Sequence, residues 1–234
     1  MVTSRMADSG TLAIHADALE DSQTLRQLDP ATLAQYVDAA LARLENSNEY
    51  VRLLALETLG KLEPVALAQH AGAVVARLED DEDFVRKKAL DTLGKLEPAA
   101  LAQHAGAVVV RLEDDEDYVR QKALMTLGKL DPATPARHAG AVVARLEDSV
   151  DEVRGEALRT LGKLEPMTLA QHADAVVARL EDSHWFVRMR ASKTLGKLDP
   201  ATLAQHTDAL VARLEDSVYF VREAALQTLG KLPA

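Results

Sequence analysis

Apolar residues between Leu62 and Lys95 fall into two helical stripes. Leu67, Ala71, Val74, Val75 and Leu78 stand at i, i+4, i+7, i+8 and i+11, the spacing of a helix with one buried side. This first helix, A, opens at Glu63-Pro64, where proline suits the first helical position because the missing N–H would have had no partner there. An acidic turn, Glu79 to Asp83, interrupts the pattern, and Val85, Ala89, Leu90 and Leu93 then mark a second helix, B. Helix B is expected to end on Gly94 as a left-handed C′ cap, with Lys95 at the negative end of the helix dipole. Gly72 weakens helix A by about 1 kcal/mol relative to alanine, so a kink near His70 or a separate short first turn is expected.

This two-helix pattern recurs. Pro30, Pro64, Pro98, Pro132, Pro166 and Pro200 are 34 residues apart, as are Gly60, Gly94, Gly128, Gly162, Gly196 and Gly230. A period of this length implies stacked supersecondary units. A single helix pair cannot bury both of its stripes, whereas stacked neighbours share one continuous core. The expected fold is therefore an all-α solenoid of six units, at residues 28–61, 62–95, 96–129, 130–163, 164–197 and 198–231. Residues 1–10 read as a disordered N-terminus, 11–27 as a degenerate repeat forming a helical cap, and 232–234 as a tail. The last unit stops directly after helix B, so weak end-to-end self-association is expected if its outer face keeps the apolar pattern of an internal unit.

The string DDEDFVRKKALDTLGKL from Asp80 to Leu96, matched by Asp148 to Leu164, resembles the HEAT repeat of armadillo-type superhelices. The resemblance covers residues 28–231. It implies an Asp–Arg hydrogen-bonded ladder between adjacent repeats, carried here by Asp80 with Arg86, Asp114 with Arg120, Asp148 with Arg154, Asp182 with Arg188 and Asp216 with Arg222. The first unit departs, with Asn46 facing Arg52, which puts the charge pairing at that end in doubt. Tetratricopeptide repeats share the period but need bulky aromatics between their helices. Here the interior positions are Leu, Val and Ala, and the chain holds only one Trp, four Tyr and three Phe, which favours the HEAT-like reading.

Comparison of the units with one another shows where this frame varies. Helix A and the Leu-Gly-Lys-Leu end barely change, and Gln69, Arg77 and Glu79 recur with little change. Variation follows one face of helix B: Tyr50, Leu53, Leu54 and Glu57, then Phe84, Lys87, Lys88 and Asp91, then Tyr118, Gln121, Lys122 and Met125. It continues as Glu152, Gly155, Glu156 and Arg159, Phe186, Met189, Arg190 and Lys193, and Phe220, Glu223, Ala224 and Gln227. His184, Trp185, Val218 and Tyr219 vary just ahead of this line. The resemblance implies that second helices line the concave surface, which would gather the stripe on one face. Tyr, Trp, Phe, Met and Arg are the residues that anchor protein interfaces. The expected partner-binding residues are accordingly Leu53, Leu54, Lys87, Lys88, Tyr118, Gln121, Lys122, Met125, Arg159, Trp185, Met189, Arg190, Lys193, Tyr219 and Glu223. The leading aromatics Tyr50, Phe84, Tyr118, Phe186 and Phe220 are equally readable as core beneath the turn. The pattern is also similar to artificial HEAT-like binders with diversified second helices.

The rest of the sequence narrows function by exclusion. A net charge of −10 argues against nucleic acid as a partner, since phosphate contacts need clustered Lys and Arg. There is no cysteine, hence no thiolate metal site. No apolar run approaches the roughly 20 residues of a membrane span, and the first residues lack a secretory apolar core; a cytoplasmic location is the expectation. His70, His104, His138, His172 and His206 form a ladder with Tyr36 in the first place. Equivalent positions in a stack lie on the order of 10 Å apart, too far to share an ion at about 2.1 Å, and no metal or cofactor is expected. There is no phosphate loop or nucleophile elbow. The expected function is a non-enzymatic interaction scaffold that recognises a protein partner through the second helices. Two alternatives remain: a self-assembling structural repeat, or an accessory enzyme subunit like the HEAT-like bilin lyases.

Overall fold

The computed structural model describes residues 29–233. The expected N-terminal tail and cap, at 1–10 and 11–27, lie outside the described residues. The chain falls into two compact units, Met1–Glu97 and Pro98–Ala234. All regular structure among the described residues is helical. In the first unit lie α1 (Pro30–Arg43), α2 (Glu49–Leu59), α3 (Pro64–Ala68), α4 (Ala71–Ala76) and α5 (Asp83–Leu93). The second unit holds α6 (Pro98–Ala102), α7 (Ala105–Val110), α8 (Asp117–Leu127), α9 (Ala133–Arg137), α10 (Ala139–Ala144) and α11 (Asp151–Leu161). It continues with α12 (Pro166–Ala170), α13 (Ala173–Ala178), α14 (Trp185–Leu195), α15 (Pro200–Ala204), α16 (Thr207–Ala212) and α17 (Tyr219–Leu229). Short 3-10 turns such as Arg77–Glu79 and Arg145–Glu147 close the A helices.

The A helix is broken in every repeat but the first described. His70 sits at φ −115°, ψ 8°, between α3 and α4, and its N–H donates to the Leu67 carbonyl at 3.0 Å in a tight i→i−3 turn. The kink expected near His70 is therefore present, but Gly72 is not its cause. Asp174 and Asp208 occupy that glycine's place in α13 and α16, and the same break recurs at His172 and His206. Where Tyr36 replaces the histidine, α1 runs unbroken for 14 residues. Asp29 and Asp199 cap their helices by accepting from the next N–H groups, Ala31 and Ala201, each at 3.1 Å, as short carboxylate side chains do at N-caps.

The two stripes read from the sequence make the core. Leu67, Ala71, Val74 and Leu78 are buried, as are Val85, Ala89, Leu90 and Leu93, and most equivalent residues of the second unit are too, the last repeat departing at Leu214 and Leu229, half-buried, and at Leu226, exposed. Within each unit consecutive helix pairs stack as in armadillo and HEAT solenoids, B helix against B helix: α2 on α5, and α8, α11, α14 and α17 in series.

Four polar stitches join neighbouring repeats, each made by residues that recur in the motif. The Arg52 guanidinium forks onto the Asp80 carboxylate at 2.7 and 2.6 Å; Arg120 meets Asp148, Arg154 meets Asp182 and Arg188 meets Asp216 in the same way. Arg77 reaches the Leu44 carbonyl at 2.9 Å, as Arg145, Arg179 and Arg213 reach Leu112, Leu146 and Leu180. The Thr92 hydroxyl donates to the Leu56 carbonyl at 3.2 Å, and Thr160, Thr194 and Thr228 repeat the bond. Finally Lys95 Nζ donates to the Gly60 carbonyl at 2.6 Å and Lys231 to Gly196 at 2.6 Å, with Lys163 on Gly128 between them.

These stitches correct three expectations. The expected ladder between adjacent repeats is present, but its carboxylate does not bond to the arginine six residues later: Arg86 Nη1 donates to the Asp80 backbone carbonyl at 2.9 Å, while the Asp80 carboxylate accepts from Arg52 of the repeat before and lies 3.7 Å from Arg77. Asn46 consequently costs Arg52 nothing, since Arg52 uses only the Asn46 carbonyl, at 2.9 Å. The glycines are not left-handed caps, because no glycine among the described residues has positive φ. At Gly196 the constraint is a close approach instead. A Cβ on Gly196 would stand 2.9 Å from Thr228 Oγ1 and 3.2 Å from Lys231 Nζ, the two donors of the stitch from the next repeat.

Candidate functional site

The leading aromatics stand in the first turns of the B helices. None is core. Tyr50 is 62% exposed and stacks on the half-buried Phe84, centroids 5.8 Å apart and planes at 27°. In the second unit Trp185, Tyr219 and Phe220 are 36%, 59% and 53% exposed, yet they touch. Trp185 lies 5.8 Å from Phe220 and 6.0 Å from Phe186, and Tyr219 lies 5.7 Å from Phe220. The four rings form a ridge across α14 and α17. Offset and edge-on contacts at these distances are favourable, so the ridge is held in place without being buried.

Gly155 explains how Phe186 lies down. A Cβ at that position would sit 2.4 Å from Phe186 Cε1; glycine makes the recess for the ring. Arg190 covers the ring's outer side, its guanidinium carbon 5.0 Å from the centroid, a cation–π contact.

The remaining expected contact residues share the face within each unit but differ in availability. Leu54, Lys87 and Lys193 are exposed. Leu53, Lys88, Tyr118, Gln121, Lys122, Met125, Arg159, Met189, Arg190 and Glu223 are half-buried. Several charges are already used: Arg159 pairs with Glu156 one turn back on α11, Lys88 approaches Glu57 at 3.8 Å, and Gln227 donates to Glu223 at 3.4 Å. Arg159 therefore offers less positive charge than its place in the stripe suggests. The constancy of Arg77 likewise follows from its stitch rather than from a quiet surface, whereas Gln69, exposed and still repeated, keeps the contrast with the B-helix stripe.

The column of leading aromatics is interrupted at Glu152. Between α8 and α11 a cavity of about 280 Å³ opens, lined by Asp117, Tyr118, Gln121, Val150, Glu152 and Val153. Four of these six residues were not among the expected contacts. The visible signal was Glu152, the one leading position that is not aromatic.

Among the described residues the ladder groups are shifted together. The bond from Arg188 holds the Asp216 carboxyl below the usual carboxylate range. Burial pushes Asp148 and Asp182 up, but the bonds from Arg120 and Arg154, joined by the N–H groups of Val150 and His184, outweigh it and leave both lowered. Each partner arginine is correspondingly raised. These groups are paired within the frame and have the chemistry of fixed structural ions. Among the described residues no three His, Cys, Asp or Glu side chains gather as a metal site, and no helix is long and apolar enough to cross a membrane.

Comparison with known proteins places this frame. A family model described as "Sister chromatid cohesion protein PDS5 protein" matches residues 6–173, more than half of the chain, and one described as "HEAT repeats" matches residues 140–230. The chain belongs to the HEAT-repeat family. Its HEAT repeats have no match among curated proteins. Among solved structures, a designed armadillo repeat protein in complex with the peptide (KR)4 is similar at TM-score 0.68 and 16% identity, over 84% of this chain and 99% of that one. A computationally designed armadillo repeat protein for modular peptide recognition gives 0.63 and 16%, over 84% and 100%. An engineered protein from a structural genomics programme gives 0.64 and 16%, over 83% and 95%. At such identity these likenesses establish the fold of the HEAT repeats alone.

Proposed function

We propose that this HEAT-repeat chain is a non-enzymatic scaffold that holds a protein or peptide segment against the variable face of its second helices. The observation that carries the reading is the ridge of Trp185, Phe186, Tyr219 and Phe220: aromatic rings fixed by one another yet open to solvent. Exposed aromatic clusters on an otherwise polar surface are what interfaces use as anchors, and a stiff repeat frame loses little entropy in presenting them. The solved neighbours named for peptide recognition give the same fold a binding role and support the reading by analogy.

The test is capture of partners from lysate by the parent and by the variant Trp185→Ala/Met189→Ala/Arg190→Ala, with captured proteins identified by mass spectrometry and both chains checked by circular dichroism. A partner retained by the parent and lost by the equally folded variant is the expected result. Identical capture by both would retire the reading.

A second, weaker contact is proposed at the outer face of α17. Leu226 is 63% exposed there, whereas its counterparts Leu56, Leu90, Leu124 and Leu158 are buried. Light scattering should show apparent mass rising with concentration for the parent and staying flat for Leu226→Lys; flat behaviour in both would remove this face from consideration.

A further inference from the structure

We infer that the cavity between α8 and α11 is a docking pocket for one lysine or arginine side chain of the bound segment. The inference rests on the scaffold reading above and specifies the chemistry of what is bound. Three features of the cavity converge on a cation with an aliphatic stem. Its walls carry two carboxylates, Asp117 and Glu152, and no basic residue, in a chain whose net charge is −10. Tyr118 contributes a ring, whose face attracts a cation. Val150, half-buried, supplies apolar surface along which the methylenes of such a side chain can lie, over the buried Val153. Gln121 completes the lining with an amide oxygen able to accept from an ammonium or guanidinium.

The size agrees. About 280 Å³ is just below the range of cavities that take drug-sized molecules, roughly 300–1,000 Å³, and has room for a lysine or arginine side chain. The cavity is not a gathered metal site, since its lining holds only two carboxylates and no three His, Cys, Asp or Glu side chains cluster among the described residues. The pocket exists because of one substitution within the repeat pattern. Where Phe84 stacks on Tyr50 in the first unit, the corresponding residue opposite Tyr118 is Glu152, so the gap that an aromatic ring would fill stays open and acquires a charge. The side chain of a partner takes the place that the missing ring leaves.

The experiment uses the full chain and two fluorescein-labelled octapeptides, one alternating lysine with alanine and its match carrying norleucine at each lysine. Anisotropy titrations at physiological salt should give at least tenfold tighter binding of the lysine peptide. Asp117→Asn/Glu152→Gln should lose at least tenfold, while Asp131→Asn/Glu165→Gln, which removes the same charge from exposed sites before α9 and α12, should lose less than twofold. Gln121→Lys places a cation in the pocket with both carboxylates intact and should abolish binding even if the double variant folds poorly. Methyl shifts of Val150 and Val153 on adding the lysine peptide would locate it. Equal losses in the two double variants, equal binding of the norleucine peptide, or methyl shifts elsewhere would overturn the inference. If capture of a partner still depends on Trp185 while the lysine peptide fails to bind, only this inference falls; if both fail, the scaffold reading falls with it.

Discussion

Arg154 shows what a single side chain contributes to this frame. Its guanidinium bonds to Asp182 at 2.8 and 2.7 Å and to the Asp148 carbonyl at 3.0 Å, with both side chains nearly buried. Arg154→Ala leaves the Asp182 carboxylate without its main partner, and removing one member of a buried pair costs about 3 kcal/mol. Arg222 stands at the same motif position but, among the described residues, bonds only to the Asp216 and Ser217 carbonyls and lies over the Tyr219 ring. Arg222→Ala should cost under about 1 kcal/mol. Urea denaturation of the two variants tests the contrast; equal losses would mean that the carboxylate adds nothing beyond the carbonyl bonds.

Glycine at two places in the repeats illustrates how the same residue type answers different demands on a helix. Around Gly72 a Cβ meets nothing within 4 Å, so Gly72→Ala should stabilise by about 0.5–1 kcal/mol through helix propensity. Gly155 is also helical, but there the methyl collides with Phe186. Gly155→Ala should lose roughly 1–3 kcal/mol as an overpacked site. Because the displaced ring neighbours the only tryptophan, the Trp185 emission spectrum should shift in parallel with the melting temperature. An unchanged spectrum and an unchanged melt would show that the ring has room to yield. The helix B stop is a comparable case: Gly94 read from the sequence is a chain terminator, whereas the close approach of threonine and lysine at Gly196 makes the motif a seam between elements.

Across the molecule the lowered carboxylates predict how stability follows pH. Asp148, Asp182 and Asp216 titrate below their unfolded-state value, which is about 3.9. The unfolded chain therefore takes up protons first, and the ladder's contribution is complete above that value and lost as the pH falls below it through the native pKa values. Thermal melts from pH 7 to pH 2 should show no loss from this source down to about pH 5 and a steep fall below pH 4, shallower in Asp216→Asn. A fall already complete at pH 5 would point to other groups.

Much of this was legible from the chain alone. The all-helical fold and the two buried stripes follow from apolar spacing, because a helix that buries one side must repeat its apolar residues at 3.6-residue intervals wherever it occurs; the break near His70 was placed correctly but for the wrong reason, since it recurs where aspartate replaces the glycine. The face that varies was legible too, since the repeats serve as one another's comparison. What the letters could not carry is which groups meet across 28 to 36 residues. The resemblance implied a ladder between adjacent repeats, but stacking decided its members: the carboxylate takes the arginine 28 residues before it, not the one six residues after. Exposure of the leading aromatics was equally undetermined, because Phe186 and Phe220 occupy the same repeat position and are covered differently, one by Gly155 and Arg190 and the other by little more than neighbouring rings. The acidic pocket at Glu152 is an effect of the same kind: it is a space left by a ring that is absent, and a space has no residue of its own in the sequence.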